Sequence, residues 1–505
     1  MSTFNRREFL STGVAAAASK RPNVLVILCD QLNASVISPY GGPVRTPNLE
    51  RIARRGMTFT QVTCPTPFCS PTRASLVTGL YPHAHGIVSN VTGKDYPGAG
   101  PDTSVEEGLT RKDVSTDRLF SEAGYTTHQY GKWHLHGEDL PWLPDQYGEH
   151  LEYEREMAEV FSKVRRRPRD EWMDWYGWAL PVGVDPRYRQ AARGLESMSN
   201  PVFRDFIGKA GRLEIPLEQN FDKRVADKTV ERLRSVGDKP FVITCSFNTP
   251  HDPNVVPSPY YERFDPDKIE LPSNRGSREA RFEKELARQM VGGPAETQVR
   301  ELLRIYYACV SLLDDQVGRV LDALEATGRA GDTIVLFTTD HGDMAGGHGM
   351  FWKSTSAFYD EIARVPFLVS FPGRVRSGVK CHSAANLTDV PPTLLDLAGL
   401  KVPAAMQGRS LAPCLDGRKT DGGFSFSERV ASGARHVRRV APGAKGSFMA
   451  RGEGWKYCRY PDGQEYLYDL RKDSGELKDL AGHKQTAEMA RVLDRWLEQT
   501  GWPRS

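Results

Sequence analysis

Cysteine is scarce in this sequence, and no cysteine stands in a zinc-binding pattern. Eight cysteines are spread over 505 residues, without a CxxC pair or a spacing typical of zinc sites. Disulfide frameworks stabilise much smaller secreted domains, whereas a chain of this length can bury a sizeable core without one. The sequence therefore disfavours a structural zinc site and a disulfide scaffold. It leaves open a single pair involving Cys64 if the protein is exported.

Long apolar runs and an excess of one charge are also absent. No uninterrupted apolar stretch reaches the ~18 residues that a membrane-spanning helix needs, so no membrane span is expected. The 67 basic and 64 acidic residues nearly cancel, which argues against a general nucleic-acid-binding protein. Local basic runs at 163–169 and 435–439 are interpreted as solvated faces.

The N-terminus has the composition of an export signal. Arg6 and Arg7 precede a weakly apolar segment with an alanine run that ends at Ala18. This order resembles a twin-arginine signal, with a cleavage site that would leave Ser19 first. We expect residues 1–18 to be a signal and the protein to be periplasmic or secreted. An ordinary cytoplasmic N-terminus is the alternative.

Short apolar runs rich in Val, Ile and Phe predict buried strands. The runs are continuous rather than alternating, which is typical of strands covered on both faces. The predicted strands are Val24–Leu28, Tyr125–Tyr130, Phe241–Phe247, Thr333–Thr339 and Phe367–Phe371. Helical patterns that end at glycines separate them, at 48–55, 116–123, 222–236 and 297–327. This alternation predicts an α/β fold whose large, mostly parallel sheet is sandwiched by helices.

The pattern changes after about residue 382. Strand-like segments joined by turns, and then an amphipathic helix, are predicted at 448–450, 456–460, 465–470 and 486–499. We therefore expect a main domain over 19–382 and a smaller C-terminal α+β domain, an antiparallel sheet plus a helix, over 383–505. The Trp- and Arg-rich stretch 145–213 interrupts the main domain and is predicted to be an insertion.

Polar side chains follow the predicted strands where each one ends. Ligands bind at the carboxyl ends of strands in open α/β sheets, so these side chains are expected to converge: Asp30, Gln31, Lys132, His134, His251, Asp340 and His341. The first strand and the fourth supply mainly oxygen ligands and one imidazole, which suit Ca²⁺, Mg²⁺ or Mn²⁺. A divalent ion there would polarise an anionic ester. Lys353 would add positive charge around the same ester.

The segment Cys69–Gly79 places a cysteine close to Pro71 and Arg73. Proline can open a helix as its first residue, so Pro71 is predicted to start one. Cys69 would then lie just before the helix N-terminus, where an anionic oxygen is favoured. Arg73 would lie on the first turn and hold that oxygen. The segment thus predicts the nucleophile of a metal-dependent ester hydrolase.

This segment resembles the signature of the sulfatase family, Cys-x-Pro-Ser-Arg followed by Thr-Gly, within the alkaline phosphatase-like superfamily. Thr72 stands where serine is commoner and keeps the hydroxyl. The resemblance implies that a formylglycine-generating enzyme oxidises Cys69 to formylglycine, whose hydrate attacks sulfur. Other stretches that resemble the family are Asn23–Gln31, Gly124–Leu135, Asn248–Pro253, Thr339–Lys353, Gln407–Leu411 and Leu467–Leu470.

The resemblance also implies a role for each site residue. A divalent metal, usually calcium in this family, would be bound by Asp30, Gln31, Asp340, His341 and the modified Cys69. Arg73 would position the aldehyde hydrate, and the sulfate oxygens would be held by Lys132 and Lys353. His251 would contact the substrate and protonate its leaving oxygen. His134 would deprotonate the spare hydroxyl, which expels sulfate and restores the aldehyde.

The implied reaction is hydrolysis of a small-molecule or carbohydrate sulfate ester to an alcohol and inorganic sulfate. Many family members have Asp where this chain has Gln31, and Asn where it has His341. These departures resemble relatives that hydrolyse phosphonate monoesters and phosphodiesters. A phosphonate monoester or phosphodiester hydrolase with the same nucleophile is therefore the near alternative. A non-catalytic protein that binds sulfated glycans is the alternative from another class.

Overall fold

The structure is a computed structural model that describes residues 21–91, 108–135, 140–143, 211–213, 217–252, 254–277, 279, 296–353, 357–418, 422–430, 440 and 443–503. The predicted signal at 1–18, both basic runs and all but the end of the predicted insertion lie outside these residues. None of the described helices is long and apolar enough to cross a membrane.

Strands and helices alternate along the described part of the chain. The strands are β1 Asn23–Cys29, β2 Met57–Phe59, β3 Val62–Thr63, β4 Thr126–Gly131, β5 Gly211–Leu213, β6 Phe241–Ser246, β7 Val255–Pro257, β8 Thr333–Thr339, β9 Phe367–Ser370, β10 Val379–Cys381, β11 Ala385–Asn386, β12 Phe424–Val430, β13 Gly446–Gly452, β14 Trp455–Arg459 and β15 Glu465–Asp469. The α-helices are α1 Pro47–Arg55, α2 Cys69–Thr78, α3 Pro82–His85, α4 Thr116–Glu122, α5 Phe221–Ser235, α6 Glu296–Ala326, α7 Asp360–Ala363, α8 Val390–Leu397, α9 Ala412–Leu415 and α10 Lys484–Gln499.

The largest described sheet has seven strands in the order β10-β2-β9-β8-β1-β6-β4. The pairs β8–β1, β1–β6, β6–β4 and β10–β2 are parallel, whereas β9 is antiparallel to both of its neighbours. All five predicted strands are present within two residues of their predicted ends. Two short strands, β2 and β10, were not predicted, because three residues are too few to show a periodic pattern.

Helices cover both faces of this sheet, which explains the continuous apolar strands. On one face, α6 packs Val310, Leu313 and Val317 into a buried cluster with Leu25 and Ile27 of β1. On the other face, α4 and α8 contribute Phe120, Leu394 and Leu395 to a second buried cluster, which also contains Val24 and Leu28 of β1. Successive β1 residues therefore point into two different cores, as the fold prediction requires.

The C-terminal part forms a separate four-stranded antiparallel sheet in the order β12-β13-β14-β15. Helix α10 covers it, with Met489, Leu493 and Trp496 packed against Tyr457 and Leu467. The predicted α/β fold with a smaller α+β unit is thus confirmed. Strand β12 was not predicted, because it alternates small polar residues with aromatic and charged ones.

Glycines end the predicted helices for more than one reason. Gly124 and Gly328 adopt the left-handed conformation expected of a helix stop, with φ of 89° and 71°. Gly56 instead has φ of −148°. A Cβ at Gly56 would lie 2.0 Å from the carbonyl oxygen of Val369, so close packing of α1 on the sheet requires glycine there.

Candidate active site

Neighbouring strands of the central sheet bring the predicted site residues to one edge. In the paired register, Cys29 at the end of β1 lies opposite Thr339, and Ser246 lies opposite both Leu28 and Gly131. The strands therefore end at nearly the same level. The residues that follow them all lie at this edge: Asp30, Gln31, Lys132, His134, His251, Asp340 and His341.

Helix α2 begins at Cys69, two residues earlier than predicted. Phe68 is its extended N-cap residue, and Pro71 is the third helical residue. A proline is tolerated there because the first N–H groups of a helix have no acceptor within the helix. The prediction that Pro71 opens the helix was therefore wrong. Cys69 itself stands on the first turn, where the helix dipole favours negative charge.

Loops on either side hold this first turn in place. The backbone N–H of Ser70 donates to Asn90 Oδ1 at 3.2 Å, and Ser70 Oγ donates to the carbonyl oxygen of His134 at 2.7 Å. Thr72 Oγ1 donates to the carbonyl oxygen of Thr66 at 2.5 Å. The hydroxyl of Thr72 thus has a structural partner before the helix, which accounts for a hydroxyl residue at this position.

Arg73 joins the two carboxylates of the site. Its guanidinium donates to Asp30 Oδ2 and to Asp340 Oδ2, each at 2.9 Å. It also donates to the carbonyl oxygen of Lys132 at 2.8 Å and to Ser246 Oγ at 2.9 Å. All these groups are buried. Arg73 therefore orients the two carboxylates, and its predicted role toward the aldehyde hydrate stays a prediction.

Four of the predicted metal ligands form one compact cluster. The donor atoms of Asp30, Cys69, Asp340 and His341 all lie within 4.8 Å of one another, and all four side chains are buried. Cys69 Sγ is 3.2 Å from His341 Nε2 and 3.9 Å from Asp30 Oδ1. The thiol sulfur of Cys69 therefore lies among the possible metal ligands.

Gln31 is the remaining predicted ligand, and its backbone N–H donates to Asp340 Oδ1 at 3.1 Å. Its Nε2 donates to Asp343 Oδ2 at 2.7 Å, whereas its buried Oε1 has no hydrogen-bond partner within the described residues. A buried amide oxygen without a partner is costly, and a cation would satisfy it. Gln31 also adopts a left-handed backbone with φ of 64°, a strained conformation of the kind that concentrates at functional sites.

The carboxylates have charges that suit a divalent cation. Burial opposes ionisation of Asp30, but Lys132, His251 and Arg73 outweigh it and hold the pKa of Asp30 well below its usual value. Burial and the nearby charge of Asp30 raise the pKa of Asp340. Two carboxylates this close cannot both ionise freely without added positive charge. The residues present therefore fit a hard divalent metal ion.

Positive groups lie close to both Cys69 and the carboxylate of Asp30. Lys353 Nζ lies 3.5 Å from Cys69 Sγ and 2.5 Å from His251 Nε2. Burial raises the pKa of the Cys69 thiol, but Lys353, His341 and Lys132 outweigh it and lower the pKa well below its usual value. Lys132 Nζ itself contacts Asp30 Oδ2 at 2.8 Å. The site thus stabilises an anion at residue 69.

His134 is held neutral beside the nucleophile. It is buried, and burial lowers its pKa to about 3, while a side-chain hydrogen bond with Cys69 acts in the opposite direction. Its Nδ1 is buried without a hydrogen-bond partner in the part of the chain that the structure describes. A neutral imidazole with a free nitrogen can accept a proton, as the predicted role of His134 requires.

Comparisons with known proteins agree with this geometry. The family model described as Sulfatase matches residues 22–400, which is most of the chain. The chain belongs to the sulfatase family. A second model, described as N-sulphoglucosamine sulphohydrolase, C-terminal, matches residues 346–501. The sulfatases are sulfuric ester hydrolases, so the predicted enzyme class is confirmed.

Similar sulfatases cover nearly the whole chain. The chain is 27% identical to the ulvan-active sulfatase of Formosa agariphila over 95% of its own length and 81% of that protein. It is 29% identical to the choline-sulfatase of Rhizobium meliloti over 91% and 82%. The phosphonate monoester hydrolase of Agrobacterium radiobacter superposes with a TM-score of 0.71 at 23% identity, over 95% and 96%. That last likeness shows a shared fold.

Several supporting residues of this sulfatase site were not predicted from sequence. Ser246 and Asp343 contact Arg73 and Gln31 across the sheet, and Asp222 on α5 accepts hydrogen bonds from the loop that leads to His251. Ser246 and Asp343 lie at or near predicted strand ends, which could have indicated them, whereas Asp222 lies at the start of a predicted helix and had no such signal. Their partners come from distant parts of the chain, which a single sequence does not reveal.

Proposed function

We propose that this sulfatase hydrolyses a sulfate ester to an alcohol and inorganic sulfate, with a formylglycine derived from Cys69 and a divalent metal, Ca²⁺, in the cluster. The observation that carries the proposal is the position of Cys69. Its sulfur belongs to the cluster of possible metal ligands and lies 3.2 Å from His341 Nε2. The same sulfur lies 3.5 Å from the ammonium group of Lys353. An oxygen nucleophile there would meet a sulfate held by cations.

The metal would be held by the two carboxylates, Gln31 and His341, with the modified side chain of residue 69. When bound, it lowers the negative charge of the site and polarises the ester. The hydrate of a formylglycine supplies the nucleophilic oxygen that a thiol does not. Arg73 fixes the orientation of both carboxylates through its hydrogen bonds to Asp30 and Asp340, and therefore acts as a positioning residue.

The remaining residues bind the anion and move protons. Lys353 and Lys132 stabilise negative charge on the sulfate oxygens, since positioned cations act strongly where water is excluded. His251, in contact with Lys353, protonates the leaving oxygen of the alcohol. His134, neutral and buried beside residue 69, accepts the proton whose removal expels sulfate.

A phosphonate monoester or phosphodiester hydrolase is the second candidate function. The presence of Gln31 and His341 in the cluster favours it, because the pocket then carries one negative charge less than an Asp-Asp version. Sulfate and phosphate esters are similar in shape, so the cations described here serve either one. A non-catalytic glycan-binding protein is disfavoured, since every expected catalytic position is occupied by a competent side chain.

Paired rate measurements decide between these functions. The protein is produced with a formylglycine-generating enzyme, and kcat/KM is measured on 4-nitrophenyl sulfate, on bis(4-nitrophenyl) phosphate and on 4-nitrophenyl phenylphosphonate. We expect the sulfate ester to be preferred, with no turnover by Cys69→Ala. A strong preference for either phosphorus ester would refute the sulfatase proposal. Conversion of Cys69 without turnover of any ester would support the binding protein.

Small-molecule and carbohydrate sulfate esters are both proposed as substrate classes. The metal and the cations of the cluster would contact the sulfate group and do not select the alcohol part of the substrate. A panel of sulfated sugars and alkyl sulfates is therefore needed to choose between the two substrate classes.

We also propose export through the twin-arginine signal at 1–18. The test is fractionation of cells that produce the chain with Arg6 and Arg7 both replaced by lysine, which is expected to remain in the cytoplasm.

A further inference from the structure

Arg429 of the C-terminal sheet reaches the first turn of the active-site helix. Its guanidinium lies 4.1 Å from the ring centroid of Phe68, the residue directly before Cys69. Its Nη1 donates to the carbonyl oxygen of Val88 at 3.0 Å. The Phe68 ring and the Val88 carbonyl therefore hold the guanidinium of Arg429 beside the residue that precedes Cys69. Arg429 belongs to β12 and not to the central sheet.

The guanidinium has no acidic partner within the described residues. No carboxylate oxygen there lies within 4.0 Å of it, whereas the neighbouring Arg451 and Arg459 pair with Asp360 and Asp494. A guanidinium carries several N–H donors, and the carbonyl oxygen of Val88 accepts only from Nη1 of Arg429. A partly desolvated cation without a counter-ion is costly, so Arg429 is unusual among the arginines of its sheet.

Strand geometry places this side chain on the face of β12 that contacts Phe68. Successive residues of a strand face opposite sides, and the preceding Glu428 points the other way, to His83, at 2.7 Å. Arg429 is half-buried, as are Phe68 and Val88, whereas Cys69 is fully buried. Burial lowers the pKa of Arg429 to about 10, and the charge of Cys69 opposes this shift.

We propose that Arg429 binds a second anionic group, carried by the alcohol part of the substrate. The chemistry is that of a carboxylate or a further sulfate on the same molecule, one small ring away from the ester that is cleaved. The proposed substrate class is therefore an anionic alcohol sulfate, such as a sulfated acidic sugar, rather than a neutral or cationic alcohol sulfate. This inference rests on the proposed sulfate ester hydrolysis.

The test compares a charged and a neutral version of one substrate. The 2-, 3- and 4-sulfooxybenzoates carry a carboxylate at three distances from the ester, and their methyl esters lack that charge. For the modified protein and for Arg429→Gln, kcat/KM is measured on all six compounds. We expect the carboxylate-to-ester ratio for at least one isomer to fall about 10- to 100-fold in the variant, as for loss of a charge-assisted hydrogen bond.

Two further variants separate this role from a structural one. Arg429→Lys keeps the charge without the planar fork and should restore part of the ratio. Arg459→Gln removes an arginine of the same sheet that pairs with Asp494, and should leave the rates on all six compounds unchanged. The wild-type preference should also weaken as salt is added, because the attraction is electrostatic.

The measurements distinguish failure of the Arg429 proposal from failure of the proposed sulfate ester hydrolysis. If wild type hydrolyses the compounds and the ratio is the same in Arg429→Gln for all three isomers, the anion-binding role is refuted. An equal loss on charged and neutral compounds would assign Arg429 a structural role and refute it too. If modified wild type hydrolyses none of the sulfates, the proposed function itself fails.

Discussion

At the scale of single residues, Arg73 controls the shape of the site. It is buried between two buried carboxylates and donates to both at 2.9 Å. A buried cation in this position costs desolvation, which only well-placed hydrogen bonds recover. The guanidinium therefore stabilises the site by fixing where the carboxylate oxygens point, and those oxygens are the proposed metal ligands.

Replacement of Arg73 should damage both stability and metal binding. Arg73→Met leaves Asp30 and Asp340 without their shared donor, and loss of one partner of a buried pair typically costs about 3–5 kcal/mol. We expect a lower free energy of unfolding in urea and weaker Ca²⁺ binding by calorimetry. Arg73→Lys should recover part of the stability. Wild-type Ca²⁺ affinity in Arg73→Met would contradict the positioning role.

His134 gives a second prediction at this scale. If it removes the proton that expels sulfate, His134→Gln should release the alcohol about once per modified site and then slow by roughly 10²–10⁴-fold, the usual size of a base contribution. Glutamine keeps the polarity and approximate size of the side chain. Rapid-mixing measurements of 4-nitrophenol release check this. A slow linear release with no initial burst would show that His134 acts before or during cleavage of the ester.

At the scale of elements, the ends of four strands were the predictable part of the site. Continuous apolar runs indicated the strands, and polar residues directly after them indicated the ligands. The start of α2 was mispredicted by two residues, because proline is commonest at the first helical position but is also tolerated later in the first turn, where N–H groups have no acceptor within the helix. Ser246, Asp343 and Asp222 depend on contacts between distant segments, which no local pattern contains.

Asp222 shows how one element positions a residue of another. It is the second residue of α5, and its carboxylate accepts hydrogen bonds from the backbone N–H groups of Asn248 at 2.7 Å and Thr249 at 3.0 Å. That loop carries His251. Asp222→Ala should leave two N–H groups without their acceptor, at a cost of about 1–3 kcal/mol each.

The kinetic consequence should depend on the leaving group. We expect Asp222→Ala to lower kcat/KM most for sulfate esters of alcohols with a high pKa, which need a proton from His251. Esters of acidic phenols should be affected less. Asp222→Asn, which retains one acceptor oxygen, serves as the conservative control. An equal loss across a series of phenyl sulfates would contradict a role through His251.

At the scale of the whole molecule, the C-terminal sheet is joined to the main sheet by buried charges. His83 on α3 pairs with Glu428 of β12, and the imidazole contacts the carbonyl oxygen of Thr500 at 3.0 Å through its other nitrogen. Both partners are acceptors, so both ring nitrogens donate and the imidazole is charged. Burial lowers the pKa of His83, but Glu428 outweighs it and raises the pKa above its usual value.

The stability of the protein should therefore depend on pH through His83. Because the pKa of His83 is higher in the folded state, its stabilisation is fully present below the unfolded pKa of about 6.5 and is lost as pH rises through the folded pKa. The difference in melting temperature between wild type and His83→Gln should be larger at pH 6 than at pH 9. The same difference at both pH values would contradict a charged His83–Glu428 pair.

The central claim is that the nucleophile is made from Cys69, and one measurement tests it most directly. Preparations with different degrees of conversion are obtained by varying the amount of formylglycine-generating enzyme, and the modified fraction of residue 69 is determined by mass spectrometry. We predict that kcat on 4-nitrophenyl sulfate, per total protein, rises in proportion to this fraction and falls to background at zero conversion. Turnover that is independent of the modified fraction, or that persists in Cys69→Ala, would contradict the account.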